Sequence, residues 1–307
     1  MKICVVGAGG VGGYFGGRMA EAGHDVTFVA RGKHLEAIKA EGLKVNSIDG
    51  DFLIIPAKAE ENPKAIFDLV IVTIKVWQIS ALGNLLKDIV GDNTVVLPLE
   101  NGIESVELLQ QFVKPNQILG GLCRIFSWIE SPGIITHGSY KPSITFGELD
   151  NSVSDRVKAI AALFDSCKFD YVIAEDIEKE VWIKFLFIAS SSVVGALTRA
   201  PYGIYRTIPE TRKLLLDILD EMVEVGIAKG VNVSKKMVQQ TMDFIDKMPA
   251  DATTSMQRDI MEGKPSELDA QLGAVLRLAD VLMLRIDKCK TAYAALLPQE
   301  KLARGEV

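Results

Sequence analysis

The 307-residue chain predicts an α/β fold, a doubly wound parallel sheet followed by an all-helical C-terminal half. Three observations predict it. Apolar runs of strand length alternate with helical segments through the first half, a glycine-rich turn joins the first run to the first helix, and the strand signal is gone after Asp176.

Residues 2–6 form a short apolar run ending in glycines, the pattern of a buried parallel strand. Residues 9–22 are helical in character, and Gly23 is a natural stop. The runs 25–30, 69–74 and 94–99 read as further strands, with helices at 35–41 and 79–89 between them. Between 118 and 148 the content of Gly, Pro, Thr and Ser rises. The short runs 133–137 and 143–146 there suggest added strands, with antiparallel pairing open. A helix at 153–167 and a last strand at 171–174 follow. Helices are then expected at 178–197, 209–229, 234–247, 254–261 and 266–284. The expected domains are 1–170, nucleotide-binding, and 171–307, helical and catalytic.

Apolar residues make up 48% of the chain, enough for a large interior, and the net charge of −6 argues against a nucleic-acid or anionic-membrane binder. Cys4, Cys123, Cys167 and Cys289 lie far apart and read as free thiols in a reducing compartment. Strand residues begin at position 2, leaving no room for a signal peptide, and the apolar stretch 181–197 carries Lys184 and three serines. A cytoplasmic protein is expected. His24, His34 and His137 have no metal-ligand spacing, so no metal is expected.

Gly7, Ala8, Gly9, Gly10, Val11 and Gly12 satisfy G-x-G-x-x-G between a strand and a helix. In this Rossmann-type context the first glycine allows a tight turn, the second lets backbone approach a pyrophosphate, and the third lets helix and strand pack closely. The helix start offers free N–H groups to phosphate. At the end of the second strand, where an NAD enzyme carries a carboxylate, stands Arg31, and a guanidinium there favours the 2′-phosphate of NADP(H). Ligands of such sheets bind beyond the carboxyl ends of the strands, which adds Lys75 and Asn101. A snorkelling lysine and an ordinary Asn-Gly turn are the plainer readings of those two.

Together these pieces resemble the ketopantoate reductase (2-dehydropantoate 2-reductase) family over essentially the whole chain. The matching segments are GAGGVG at 7–12, ARG at 30–32, VTIKVWQ at 72–78, ENG at 100–102, WIK at 182–184 and SMQRDIMEGKPSELD at 255–269. The resemblance implies that Arg31 holds the 2′-phosphate and that Lys75 and Asn101 line the nicotinamide end of the cofactor. It also implies that Lys184 is the general acid, that Ser255 binds the carboxylate side of the substrate, and that Glu267 hydrogen-bonds the reacting groups. The residues themselves are consistent with this: Lys184 sits in an otherwise apolar helix, where an unpaired ammonium is costly. For Glu267, simple complementarity to a helix N-terminus is the alternative. The sequence departs from the family at three positions where asparagine is usual, here Ile188, Ser192 and Tyr202. Ser192 and Tyr202 keep a hydroxyl for the substrate, whereas Ile188 keeps none.

The implied reaction is NADPH-dependent reduction of ketopantoate to pantoate, a step toward pantothenate and coenzyme A. The alternatives are a relative acting on a different small 2-oxo acid and a non-catalytic NADPH-binding sensor. Oligomeric state stays open, a homodimer included.

Overall fold

The computed structural model describes all 307 residues, which divide into two compact units. One comprises Met1–Glu100 and Ser105–Ile177, the other Asn101–Glu104 and Glu178–Val307. The first unit therefore runs a few residues past the expected boundary near 170.

The N-terminal unit contains, in order, β1 (Lys2–Val6), α1 (Gly10–Glu21), β2 (Asp25–Val29), α2 (Gly32–Glu41), β3 (Leu43–Ser47), β4 (Phe52–Ile54), β5 (Lys58–Glu60) and β6 (Phe67–Val72). These are followed by α3 (Gly83–Ile89), β7 (Val90–Pro98), α4 (Ser105–Leu109), β8 (Gly120–Ser131), β9 (Ile134–Gly147), α5 (Asp155–Phe164) and β10 (Asp170–Ile173). The central sheet has the order β5-β2-β1-β6-β7 with every pairing parallel. The chain winds one way from β1 to β2 and the other way from β1 to β6, so the strand order switches at β1. Four of the five residues of β1 and of β2 are buried. That is why these strands read as unbroken apolar runs, the mark of a sheet covered on both faces.

A second sheet, ordered β10-β9-β3-β4 with β8 on β9, was only partly expected. Its 14-residue strand β9 begins at Ile134 and takes in the rest of the short run foreseen at 133–137 and all of that at 143–146. β9 pairs antiparallel with β8 and parallel with β3 and β10. The pairing of β10 with β9 is what carries the first unit past residue 170. The helix expected at 79–89 is instead a 3₁₀ turn over Val76–Ala81 followed by α3.

The helical unit contains α6 (Ile177–Thr198, whose first residue clusters with the N-terminal unit), α7 (Tyr202–Tyr205), α8 (Pro209–Lys229), α9 (Lys236–Asp246), α10 (Ser255–Met261), α11 (Ala274–Val281) and α12 (Asp287–Arg304). Helix α6 is long and apolar enough to cross a membrane, yet most of it is buried within the protein. Trp182, Phe185, Leu186, Ala189 and Val193 lie in the core with Leu215, Ile218 and Met222 of α8. Expected helix 266–284 is a wide π turn over Asp269–Gly273 leading into α11. Helix α12 was not foreseen. All four cysteines are free thiols, and burial pushes Cys4 up to about 12 and Cys167 up to about 11.

Candidate functional site

In the N-terminal unit the glycine turn is held by its own backbone. The N–H groups of Gly7 and Ala8 both donate to the Val29 carbonyl at 3.1 Å, which ties the turn to the end of β2. Gly7 has φ +104°, a conformation that side chains disfavour. At Gly12 a Cβ would lie 2.1 Å from the Gly7 carbonyl oxygen and 2.4 Å from Thr73 Oγ1. The helix therefore starts closer to the strand than any side chain permits. Gly9 caps α1 with no side-chain hydrogen bond, so no side chain competes for the N–H groups of the first turn. Nothing lies within 4 Å of where a Cβ on Gly9 would stand. This arrangement fits a dinucleotide pyrophosphate.

Two buttresses of the turn escaped the sequence reading. Thr73, just past β6, donates from Oγ1 to the Gly7 carbonyl at 2.7 Å. His34 lies on α2. Its Nδ1 accepts from the Gly133 N–H at 3.0 Å, so the ring proton is on Nε2, which donates to the Ala8 carbonyl at 2.7 Å. The imidazole thus joins the glycine turn to the β8–β9 connection. Only the unusual run Arg31-Gly32-Lys33-His34 after a strand hinted at it.

Arg31 caps α2 from an extended conformation. Its side chain is 65% exposed, and its contact with Glu61 Oε1 is long, 3.8 Å. A contact that exposed and that long binds weakly, so it leaves the guanidinium able to take a phosphate. Lys75 directly precedes the 3₁₀ turn after β6, half-buried, with its backbone N–H donating to Gln78 Oε1 at 3.1 Å.

In the helical unit the structure brings Lys184 and Asn101 together. Lys184 Nζ donates to Asn101 Oδ1 at 2.7 Å, and both residues are half-buried. Asn101 reaches this position because residues 101–104, although they follow β7, cluster with the helices. Ile188, one turn beyond Lys184 on α6, is also half-buried. Ser190 Oγ donates back to the Leu186 carbonyl at 2.6 Å and is thereby spent on its own helix. Ser192 is fully buried, and its Oγ has no partner within the protein. Tyr202 is buried too, its ring stacked nearly parallel to Phe187 at 6.3 Å. Ser255 is the half-buried first residue of α10, which is capped by Thr254 accepting from the Gln257 N–H at 3.2 Å.

Glu267 is buried two residues before the π turn opens, and its carbonyl accepts from the Gln271 N–H at 2.9 Å. Its neighbour Ser266 is pinned by α12. The Ser266 N–H donates to Glu300 Oε1 and Oε2 at 3.0 and 3.1 Å, and Arg304 donates to Glu300 Oε1 at 2.7 Å and to the Ser266 carbonyl at 2.9 Å. Glu300 and Arg304 lay beyond the last helix that the sequence suggested. Gln257 was likewise missed. It crosses α6 at Gly195, where a Cβ would come within 2.3 Å of Gln257 Oε1, and its Nε2 donates to the Ala200 carbonyl at 2.9 Å.

Two family models match the chain, ketopantoate reductase PanE/ApbA over residues 3–151 and ketopantoate reductase PanE/ApbA C terminal over 176–300. Among relatives, the uncharacterized oxidoreductase YkpB of Bacillus subtilis is 32% identical over 96% of this chain and 98% of its own length. A 2-dehydropantoate 2-reductase of Nostoc is 28% identical over 95% of this chain and 93% of its own. Among solved structures, the 2-dehydropantoate 2-reductase of Geobacter metallireducens superposes with a TM-score of 0.89 at 28% identity, covering 97% of this chain and 99% of that one. With both models matched in sequence order across nearly the whole chain, this protein belongs to the ketopantoate reductase PanE/ApbA family and is an oxidoreductase that uses a nicotinamide dinucleotide.

Proposed function

We propose that the protein reduces ketopantoate to pantoate with NADPH, Lys184 serving as the general acid. The contact between Lys184 Nζ and Asn101 Oδ1 at 2.7 Å carries this reading. It holds the Lys184 amine in a fixed place between the apolar neighbours Ile183 and Phe185, where an ammonium needs a defined partner. When bound, the reduced nicotinamide supplies a hydride to the carbonyl carbon. The carbonyl oxygen then needs a proton. The Lys184 ammonium stabilises the negative charge as it develops and delivers the proton from Nζ. Asn101 orients that amine. The glycine turn from Gly7 to Gly12, with Ala8, Gly9, Gly10 and Val11, would hold the pyrophosphate, and Lys75 would face the anionic groups of cofactor or substrate. We assign Ser255, Ser192 and Tyr202 to the substrate, and Glu267 to the reacting groups.

Arg31 supports NADPH over NADH. Replacing it with Ala is expected to raise the KM for NADPH about tenfold to a hundredfold, the loss of charge-assisted bonds to one phosphate. The KM for NADH should stay near that of the parent. Equal losses with both cofactors would remove the assignment of Arg31 to the 2′-phosphate.

A second reading is favoured by Ile188. It presents no donor one turn from Lys184, and a polar substrate group left unpaired there costs on the order of 1–3 kcal/mol. The substrate would then be a more apolar 2-oxo acid. Steady-state kinetics over a panel of 2-oxo acids with NADPH separates the two. Ketopantoate is expected to give the highest kcat/KM, and a branched apolar 2-oxo acid outpacing it would transfer the assignment to the second reading.

A further inference from the structure

We propose that Arg277 is a positioning residue for the proton donor, holding in register the two backbone segments that carry Asn101 and Glu267. This rests on the assignment of Lys184 as the donor. Arg277 lies on α11. Its guanidinium makes five hydrogen bonds. Nε and Nη2 donate to Glu104 Oε1 and Oε2 at 2.9 and 2.6 Å, a two-pronged grip on the segment that also carries Asn101. Nη1 donates to both carboxylate oxygens of Asp269 at 3.0 Å, and Nη2 reaches the Asp269 carbonyl at 3.1 Å. Asp269 stands two residues after Glu267 and opens the π turn.

Every N–H of the fork is thereby committed, and Glu104 foremost, with Asp269, holds the proton on the guanidinium more firmly than usual. Tyr293 on α12 fixes Asp269 from the other side, donating to Oδ1 at 3.1 Å. Gly273 makes room for the arrangement. A Cβ there would sit 2.4 Å from Asp269 Oδ1. The side chains of Arg277 and Asp269 are each about half exposed, at 48% and 56%. Ion pairs that exposed contribute little to stability. What a planar, two-sided fork supplies is geometry, one cation fixing the spacing of two otherwise separate stretches of chain. The π turn is itself a rare device that recurs at functional sites.

The test uses Arg277→Met and Glu104→Gln in the full-length protein, which remove opposite charges. The direct readout is the rate at which Lys184 is acylated by an N-hydroxysuccinimide ester, followed by peptide mass spectrometry without substrate or cofactor. Simple electrostatics predicts opposite effects. Losing the cation should leave Lys184 more firmly protonated and slower to react, and losing the carboxylate should do the reverse. Positioning predicts the same effect from both, faster acylation by about tenfold as the bond to Asn101 loosens. Asn101→Ala is the reference for that change. Turnover should fall in both variants with the NADPH dissociation constant and melting temperature close to the parent's. Opposite changes in acylation, or none in either folded variant, would overturn the proposal. A parent that reduces no 2-oxo acid would overturn the proposed function, while acylation would still decide whether Arg277 orders Lys184.

Discussion

Replacing Lys184 with Ala is expected to lower kcat for 2-oxo acid reduction about a thousandfold to ten-thousandfold. General-acid assistance is worth about 10²–10⁴ in rate, and removal of a group that stabilises the oxyanion costs a comparable factor. The two contributions come from one ammonium, so they overlap rather than multiply. NADPH affinity should hardly change, because the glycine turn and Arg31 are in the other unit. Lys184→Arg should restore little. It keeps the positive charge but cannot surrender a proton near neutral pH. Single-turnover measurement with saturating NADPH isolates the step, and a Lys184→Ala rate equal to the parent's would place the proton source elsewhere.

The second large effect is expected at Gly12. Even Ala would drive its Cβ into the Gly7 carbonyl at 2.1 Å and into Thr73 Oγ1 at 2.4 Å. One neighbour is backbone and the other is a hydroxyl already donating to Gly7, so neither can yield cheaply. The turn must open. Overpacking of this kind costs about 3 kcal/mol, a fall in Tm of roughly 5–10 °C for a chain of this size. NADPH affinity should drop about a hundredfold as the backbone N–H groups leave their aim. Calorimetry and fluorescence titration read the two effects separately. A Gly12→Ala protein that binds NADPH like the parent would mean that the turn does not cradle the cofactor.

The inner strands of the central sheet were legible because they are buried on both faces and so read as apolar runs. Its edge strand β5 and the second sheet were not. β5 and, in the second sheet, β4 have three residues each, too few for a pattern. In β9, Gly138 to Pro142 mimics a turn although the strand continues through it, with Tyr140 at φ +39° marking the irregularity. Helix α12 has a buried stripe at Cys289, Ala292, Leu296 and Glu300, close to helical spacing. Pro298 and the charges around it hid that stripe, and a glutamate is not expected on a buried face.

Within the candidate site, placement that follows a local rule was readable: a glycine turn between a strand and a helix, an arginine at a strand end. The partnership of Lys184 with Asn101 was not legible at all, since the two are 83 residues apart; even the family resemblance placed Asn101 only at the nicotinamide end of the cofactor. The grip of Arg277 on Glu104 spans 173 residues and follows no local rule at all. His34 has no metal-ligand spacing, and its use here as a rigid hydrogen-bonding spacer between the Ala8 carbonyl and the Gly133 N–H follows no sequence pattern.

The membership of residues 101–104 in the helical unit sets a limit on protein engineering. A chimera joining residues 1–177 of this chain to the helical half of a relative would import that relative's counterparts of Lys184 and Arg277 but keep this chain's tetrapeptide as their acceptor. A fragment beginning at Glu178 would lack the tetrapeptide altogether. Grafts that carry Asn101 to Glu104 along with the helices, as a noncontiguous cassette, should outperform those cut once at the apparent border.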